Sequence, residues 1–154
     1  MIKSLMRSAT LLAVAISLTS GVFAQASGDH MTVNVKDMLA AAKAEIPAIS
    51  PGDAAKLVGK DNVLFLDVRD APELAASGKV KGALNVSRGF LEFKADPASP
   101  SYDKAFDGEK QIVLYCASGA RAALAGQTLK AMGYKNVHNL GAFKDWKKAG
   151  GAVE

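Results

Sequence analysis

The sequence predicts an α/β protein whose parallel β-sheet is covered by helices on both faces. Four short apolar runs are bounded by turn-forming residues, and helical segments separate them along the chain. Continuous apolar runs are typical of strands buried on both faces, and alternation of strands with helices favours parallel pairing. The predicted strands are Val63–Val68, Ala83–Val86, Gln111–Tyr115 and Lys135–Leu140.

The helices are predicted from apolar spacing and from capping residues. Val35–Ile46 has apolar residues at helical spacing, and Pro47 ends it. Ser50 followed by Pro51 is typical of a helix start. Further helices are predicted after Asp70, from about Ala120 to Met132 and from Ala142 to Lys148, with a short edge strand at Ala48-Ile49 and a loop from Leu91 to Phe106 that holds a short helix near Leu91–Phe93.

The amino terminus has the pattern of an export signal. Lys3 and Arg7 precede the apolar run Leu11–Leu18, and Val22-Phe23-Ala24 supplies the small residues typical of a cleavage site. The pattern predicts a signal peptide over residues 1–24 and a periplasmic location. An uncleaved anchor is the alternative, although the apolar run is too short for a comfortable membrane span. We expect no stable membrane span after cleavage.

Charge and length predict one domain without a nucleic-acid partner. Loss of Lys3 and Arg7 with the signal peptide lowers the basic count from 19 to 17 against 15 acidic residues, so the net charge falls from +4 to +2. Nucleic-acid binding favours basic runs interleaved with aromatic residues, and this sequence has no such run. Residues 25–49 are interpreted as a lead-in and helix. We expect a monomer with no cofactor and no metal site.

Cys116 is the one cysteine of the chain, so no intramolecular disulfide can form. A single thiol in an exported protein is either buried and inert or kept for chemistry. Cys116 lies where a predicted strand gives way to a predicted helix. Several unpaired backbone N–H groups and the positive end of the helix dipole meet there, which favours the reactive thiolate.

The loop after Cys116 has the composition of an anion cradle. Four small residues precede Arg121 and allow the backbone to curl around the sulfur; they are Ala117, Ser118, Gly119 and Ala120. Such a cradle suits a thiolate, a persulfide anion or the oxyanion end of a sulfur donor. A cation in the first helical turn opposes the dipole, so Arg121 either faces an anion or points to water.

Several segments in register resemble a single-domain rhodanese, from about Ser50 to Glu154. They are Leu66-Asp67-Val68-Arg69, Glu73, Gly78–Val86, Tyr115–Arg121, Met132-Gly133-Tyr134 and Asn139–Trp146. The resemblance implies a rhodanese-like three-layer sandwich with about five parallel strands, formed by residues 50–154. It also implies that Cys116 carries sulfur and that Ala117 to Arg121 form the active-site loop. Asp67, Arg69 and Glu73 would lie next to this loop and support it without contacting the substrate.

The resemblance implies a sulfurtransferase that works through a Cys116 persulfide. A donor such as thiosulfate would supply the sulfur, and cyanide or a thiol would accept it. The loop lacks the extra basic residues of rhodaneses that favour thiosulfate, and it departs from the loop of mercaptopyruvate-using relatives. The sequence therefore leaves the donor open.

Two alternatives from other classes are compatible with parts of the pattern. Cysteine phosphatases use a similar cradle and arginine, but they place five residues between the cysteine and the arginine, against four here. A non-catalytic rhodanese-like sulfur carrier or docking module is the second alternative, although silent relatives commonly lose the cysteine. Thiol–disulfide exchange is disfavoured because no second cysteine exists to resolve a mixed disulfide.

Overall fold

A computed structural model describes residues 33–154, and the predicted signal peptide lies outside them. Within this range no helix is both long and apolar enough to cross a bilayer. A short 3-10 helix at Arg88–Phe90 leads into the fourth α-helix. The elements are α1 Val35–Glu45, α2 Pro51–Ala55, β1 Val63–Asp67, α3 Ala71–Ser77, β2 Leu84–Asn85, α4 Leu91–Ala95, β3 Gln111–Cys116, α5 Ala120–Ala131, β4 Val137–Ala142 and α6 Phe143–Lys148.

The sheet is parallel throughout, with the strand order β2-β1-β3-β4, which confirms the predicted α/β class. The described residues form four strands, so the expected count of about five was slightly too high. Ala48 makes only a single parallel bridge, to Asn139. The segment is too short for a strand, because Pro47 has no N–H to donate and Ser50 already caps α2.

Two hydrophobic cores lie on opposite faces of the sheet and confirm the three-layer sandwich. Side chains of a strand alternate between the two faces. Ile112, Leu114 and Cys116 of β3 pack in the core that includes α5 residues. Val113 and Tyr115, the intervening residues, pack in the core that includes aromatic residues of α6. The side chain of Cys116 is therefore directed to the α5 face.

Several boundaries differ from the sequence prediction by one or two residues, and two of these differences concern the site and the core. Strand β4 runs to Ala142 instead of ending at Leu140, because a register shift lets the strand continue through Gly141, which has φ +92°. In the predicted loop 91–106, helix α4 extends to Ala95. Its residues Leu91 and Ala95 are fully buried, so this segment is part of the core.

We predict that Tyr115→Phe destabilises the fold by about 1–3 kcal/mol, because it removes the partner of a buried amide. The Tyr115 hydroxyl accepts a hydrogen bond from the Val80 N–H at 2.9 Å, and neither residue has any exposed surface. Denaturant unfolding of both proteins measures the difference in the free energy of unfolding. Equal stability of the two proteins would contradict this assignment.

Candidate active site

The carboxyl ends of the central strands meet at one edge of the sheet. Asp67 of β1 pairs with Tyr115 of β3, and Cys116 pairs with Ala142 of β4. In open parallel sheets, ligands bind outside this edge. The predicted site residues at the ends of β1 and β3 are therefore brought together by strand register.

Cys116 is the last residue of β3 and has no exposed surface. The Gly119 N–H donates a hydrogen bond to its Sγ at 3.1 Å. The sequence predicted several converging N–H groups, but within residues 33–154 this amide is the one that contacts the sulfur. Ala117 and Ser118 of the loop are exposed. The sulfur thus lies beneath an exposed loop and has a single amide partner.

Gly119 is held in place by the end of β4. Its φ of +86° is a conformation that side chains disfavour, and a Cβ there would lie 2.9 Å from the Cα of Gly141. The Asn139 side-chain amide donates to the Gly119 carbonyl at 3.2 Å, while its Oδ1 accepts from the Gly141 N–H at 2.9 Å. Asn139 therefore holds the carbonyl of the residue whose N–H donates to the sulfur.

Arg121, in the first turn of α5, faces a carboxylate of the protein. Its Nη1 and Nη2 donate to Oε2 and Oε1 of Glu73 at 2.8 and 2.7 Å. These hydrogen bonds lower the pKa of Glu73 to about 2 and raise the pKa of Arg121. Glu73 also accepts from the Asp70 N–H at 3.1 Å, which ties it to the start of α3. The pair joins the start of α5 to α3.

Asp67 and Arg69 form a second ion pair, which is buried. Nη2 of Arg69 lies 2.6 Å from Oδ2 of Asp67, and the Arg69 residue is only 2% exposed. The same guanidinium donates to the Ser77 hydroxyl and to the Gly78 carbonyl, at 2.8 and 2.6 Å. It also lies over the Phe143 ring, 4.1 Å from the centroid. Every hydrogen-bonding side of Arg69 is thus directed into the protein.

A cavity of about 340 Å³ opens beside the loop. The loop contributes Ala117, α6 contributes Phe143, and the two ion pairs contribute Arg69 and Glu73. The remaining charged residues of the lining are Lys144 and Lys147, both exposed residues of α6. The cavity therefore combines an apolar wall with cationic side chains. Its volume is in the range of small-molecule sites.

Roles for Asn139, Lys144 and Lys147 at this edge were not predicted from the sequence. Lys147 and its neighbour Lys148 have the pattern of a solvated helix end, and Asn139 and Lys144 belong to the segment Asn139–Trp146. Asn side chains often accept a hydrogen bond from the backbone N–H two residues on, so Asn139, two residues before Gly141, offered some indication. No sequence signal distinguished the two lysines from other exposed lysines. Within residues 33–154 no cluster of potential metal ligands is present.

Comparison with known families identifies the class of protein. Residues 50–149 match the family model described as the rhodanese-like domain. The match covers all four strands and the loop from Cys116 to Arg121. The chain belongs to the rhodanese-like domain family.

The relatives include named sulfurtransferases. Human thiosulfate:glutathione sulfurtransferase is 28% identical over 107 residues, which are 65% of this chain and 92% of the human protein. The structure of a polysulfide-sulfur transferase homodimer from Wolinella succinogenes is 38% identical, with a TM-score of 0.63; the match covers 77% of this chain and 85% of that one.

A further solved structure carries a different functional suggestion. It is a protein of unknown function from Rhodopseudomonas palustris, described as a "possible tyrosine phosphatase". It is 40% identical, with a TM-score of 0.75, and the match covers 80% of this chain and 96% of that one. The phosphatase alternative therefore requires an experimental test beside the sulfurtransferase one.

We predict that the Glu73–Arg121 pair stabilises the fold in a pH-dependent way. The pKa of Glu73 falls from 4.5 to about 2 on folding, so its stabilising effect is complete above pH 4.5 and is lost as pH falls towards 2. The stability advantage of wild type over Glu73→Gln should shrink across that window. Urea unfolding at several pH values measures it.

Glu109→Gln is the matched control, because Glu109 is exposed and has no ion pair within the described residues. Its stability difference from wild type should stay nearly constant over the same pH range. A constant difference for Glu73→Gln as well would show that the pair does not couple to folding.

Proposed function

We propose that this protein is a rhodanese-type sulfurtransferase that moves a sulfane sulfur from a small anionic donor, such as thiosulfate, to cyanide or a thiol. The observation that carries the proposal is the position of Cys116. It ends a central parallel strand, its sulfur accepts the Gly119 N–H at 3.1 Å, and a four-residue loop separates it from Arg121. The names of the relatives support sulfur transfer as the class of reaction.

The reaction proceeds in two displacements on sulfur. In the first, the Cys116 thiolate attacks the outer sulfur of thiosulfate, the donor S–S bond breaks, and sulfite leaves with the bonding electron pair. In the second, a cyanide ion or thiolate attacks the outer sulfur of the persulfide and releases the Cys116 thiolate. Thiocyanate or a new persulfide is the product. Neither displacement requires a metal or a general base.

The Gly119 amide stabilises negative charge on the inner sulfur in both steps. A fixed backbone N–H stabilises charge on its acceptor in the transition state. The thiolate is the nucleophile of the first step and the leaving group of the second. The same contact between Gly119 and Sγ therefore assists both displacements.

We predict that incubation with thiosulfate adds one sulfur atom to the chain, and that Cys116→Ser abolishes the addition. Serine keeps the size of the side chain but cannot form a persulfide. Intact-protein mass spectrometry before and after addition of cyanide measures loading and discharge. Circular dichroism of the variant confirms that the fold is retained.

Sulfur uptake that persists in Cys116→Ser would contradict the assignment of Cys116. Loading without discharge to cyanide or to any thiol would favour the second candidate, a rhodanese-like sulfur carrier or docking module. Retention of the cysteine argues for turnover, so the transfer reaction is the proposal tested first.

Tyrosine phosphatase activity is the competing enzymatic function, suggested by the Rhodopseudomonas structure. The loop of this chain has four residues between Cys116 and Arg121, one fewer than the phosphatase cradle. The Arg121 guanidinium is also bound by Glu73 through two hydrogen bonds. Both features disfavour a phosphate group in the loop. Hydrolysis of p-nitrophenyl phosphate that depends on Cys116 would reverse this preference.

We also propose that the protein is exported to the periplasm as a monomer. The charged and apolar pattern of residues 1–24 supports export. We predict that the protein from a periplasmic extract begins at Gln25, as measured by amino-terminal sequencing. An intact amino terminus in a membrane fraction would instead favour the uncleaved anchor. The monomeric state stays a prediction. The Wolinella succinogenes relative is a homodimer.

A further inference from the structure

Two lysines on one face of α6 line the cavity beside the active-site loop. Lys144 and Lys147 are three residues apart, a spacing that places side chains next to each other on a helix. Lys147 Nζ lies 5.4 Å from the centroid of the Phe143 ring, which is also part of the lining. The loop reaches the same cavity through Ala117, the residue after the reactive cysteine.

The other charges of the lining are already neutralised by partners. Arg69 is paired with Asp67, with 2.6 Å between Nη2 and Oδ2. Glu73 is paired with Arg121, with 2.7 Å between Oε1 and Nη2. Neither cation of these pairs is therefore free to bind an anion without leaving a carboxylate unpaired.

The two lysines have no such partner in the described part of the chain. No acidic side chain of residues 33–154 lies within salt-bridge distance of Lys144 or Lys147. Asp145 is on the same helix but does not line the cavity. The cavity thus has an excess of positive charge at its rim and an apolar wall at Phe143. This combination favours an anion and concentrates it near the loop.

We propose that Lys144 and Lys147 bind the oxyanion end of the sulfur donor while its sulfane sulfur is directed to Cys116. This inference rests on the proposed sulfurtransferase function and adds the side chains that bind the anionic group of the donor. The donors are sulfane compounds that carry a charged sulfur–oxygen group, namely thiosulfate and organic thiosulfonates. Neutral donors such as dialkyl trisulfides gain nothing from the two lysines.

The test compares the double variant Lys144→Gln/Lys147→Gln with Lys148→Gln. Lys148 is exposed on the same helix but does not line the cavity, so it controls for the loss of surface charge. We expect kcat/KM for thiosulfate to fall about tenfold in the double variant, since two attractive charges are lost near the bound anion. Benzenethiosulfonate should lose less than thiosulfate because it carries one charge. A dialkyl trisulfide should react at the wild-type rate.

Arginine substitution at both positions should restore most of the activity with thiosulfate, because the charge is kept. Added salt should reduce the rate of wild type with thiosulfate more than that of the double variant. The proposal is overturned if the double variant matches Lys148→Gln with thiosulfate. An equal loss with the neutral trisulfide would overturn it too.

A binding measurement separates this inference from the proposed function. Titration calorimetry of thiosulfate is performed on Cys116→Ser, with and without the two lysine substitutions, so that no sulfur is transferred. Binding that weakens about tenfold without the lysines supports the donor site even if wild type forms no persulfide. Binding that is absent or independent of the lysines overturns the donor site, and a persulfide on wild-type Cys116 would leave the proposed function intact.

Discussion

The close approach of Gly119 to Gly141 is the contact on which the site depends. A Cβ on residue 119 would lie 2.9 Å from the Gly141 Cα, so the loop can pack against the end of β4 only with glycine at this point. Asn139 then holds both peptides with its side-chain amide. This contact places the Gly119 N–H against the sulfur of Cys116. The thiol environment is thus determined by a strand that follows it by more than twenty residues.

The charges around the site are two ion pairs and two lysines that have no acidic partner within the described residues. Asp67 with Arg69 fixes the turn after β1, and Glu73 with Arg121 joins α3 to the start of α5. Ion pairs of this kind position the backbone, but they leave little net charge to attract a ligand. The lysines of α6 are the cations that remain available at the cavity within the described residues. On our proposal, positioning and anion attraction are therefore performed by different side chains.

Sequence reasoning predicted those features that depend on local pattern. The apolar runs located the strands, and the Cys116–Arg121 spacing located the loop, because both signals lie within a few consecutive residues. It did not predict that Arg121 would bind Glu73, since 48 residues separate them. The contact of Asn139 with Gly119 depends on the register shift between β3 and β4, and no local sequence pattern encodes that shift. Lys144 and Lys147 differ from other exposed lysines only because the packing of α6 places them at the cavity.

The burial of Cys116 constrains how a donor reaches it. The residue has no exposed surface, so an in-line attack requires part of the loop to move. The far end of the loop is held by Asn139 at Gly119 and by Glu73 at Arg121. The near end, Ala117 and Ser118, is exposed, and in the described structure it makes no side-chain hydrogen bond. Displacement of this end therefore breaks no side-chain hydrogen bond, and its residue Ala117 already lines the cavity.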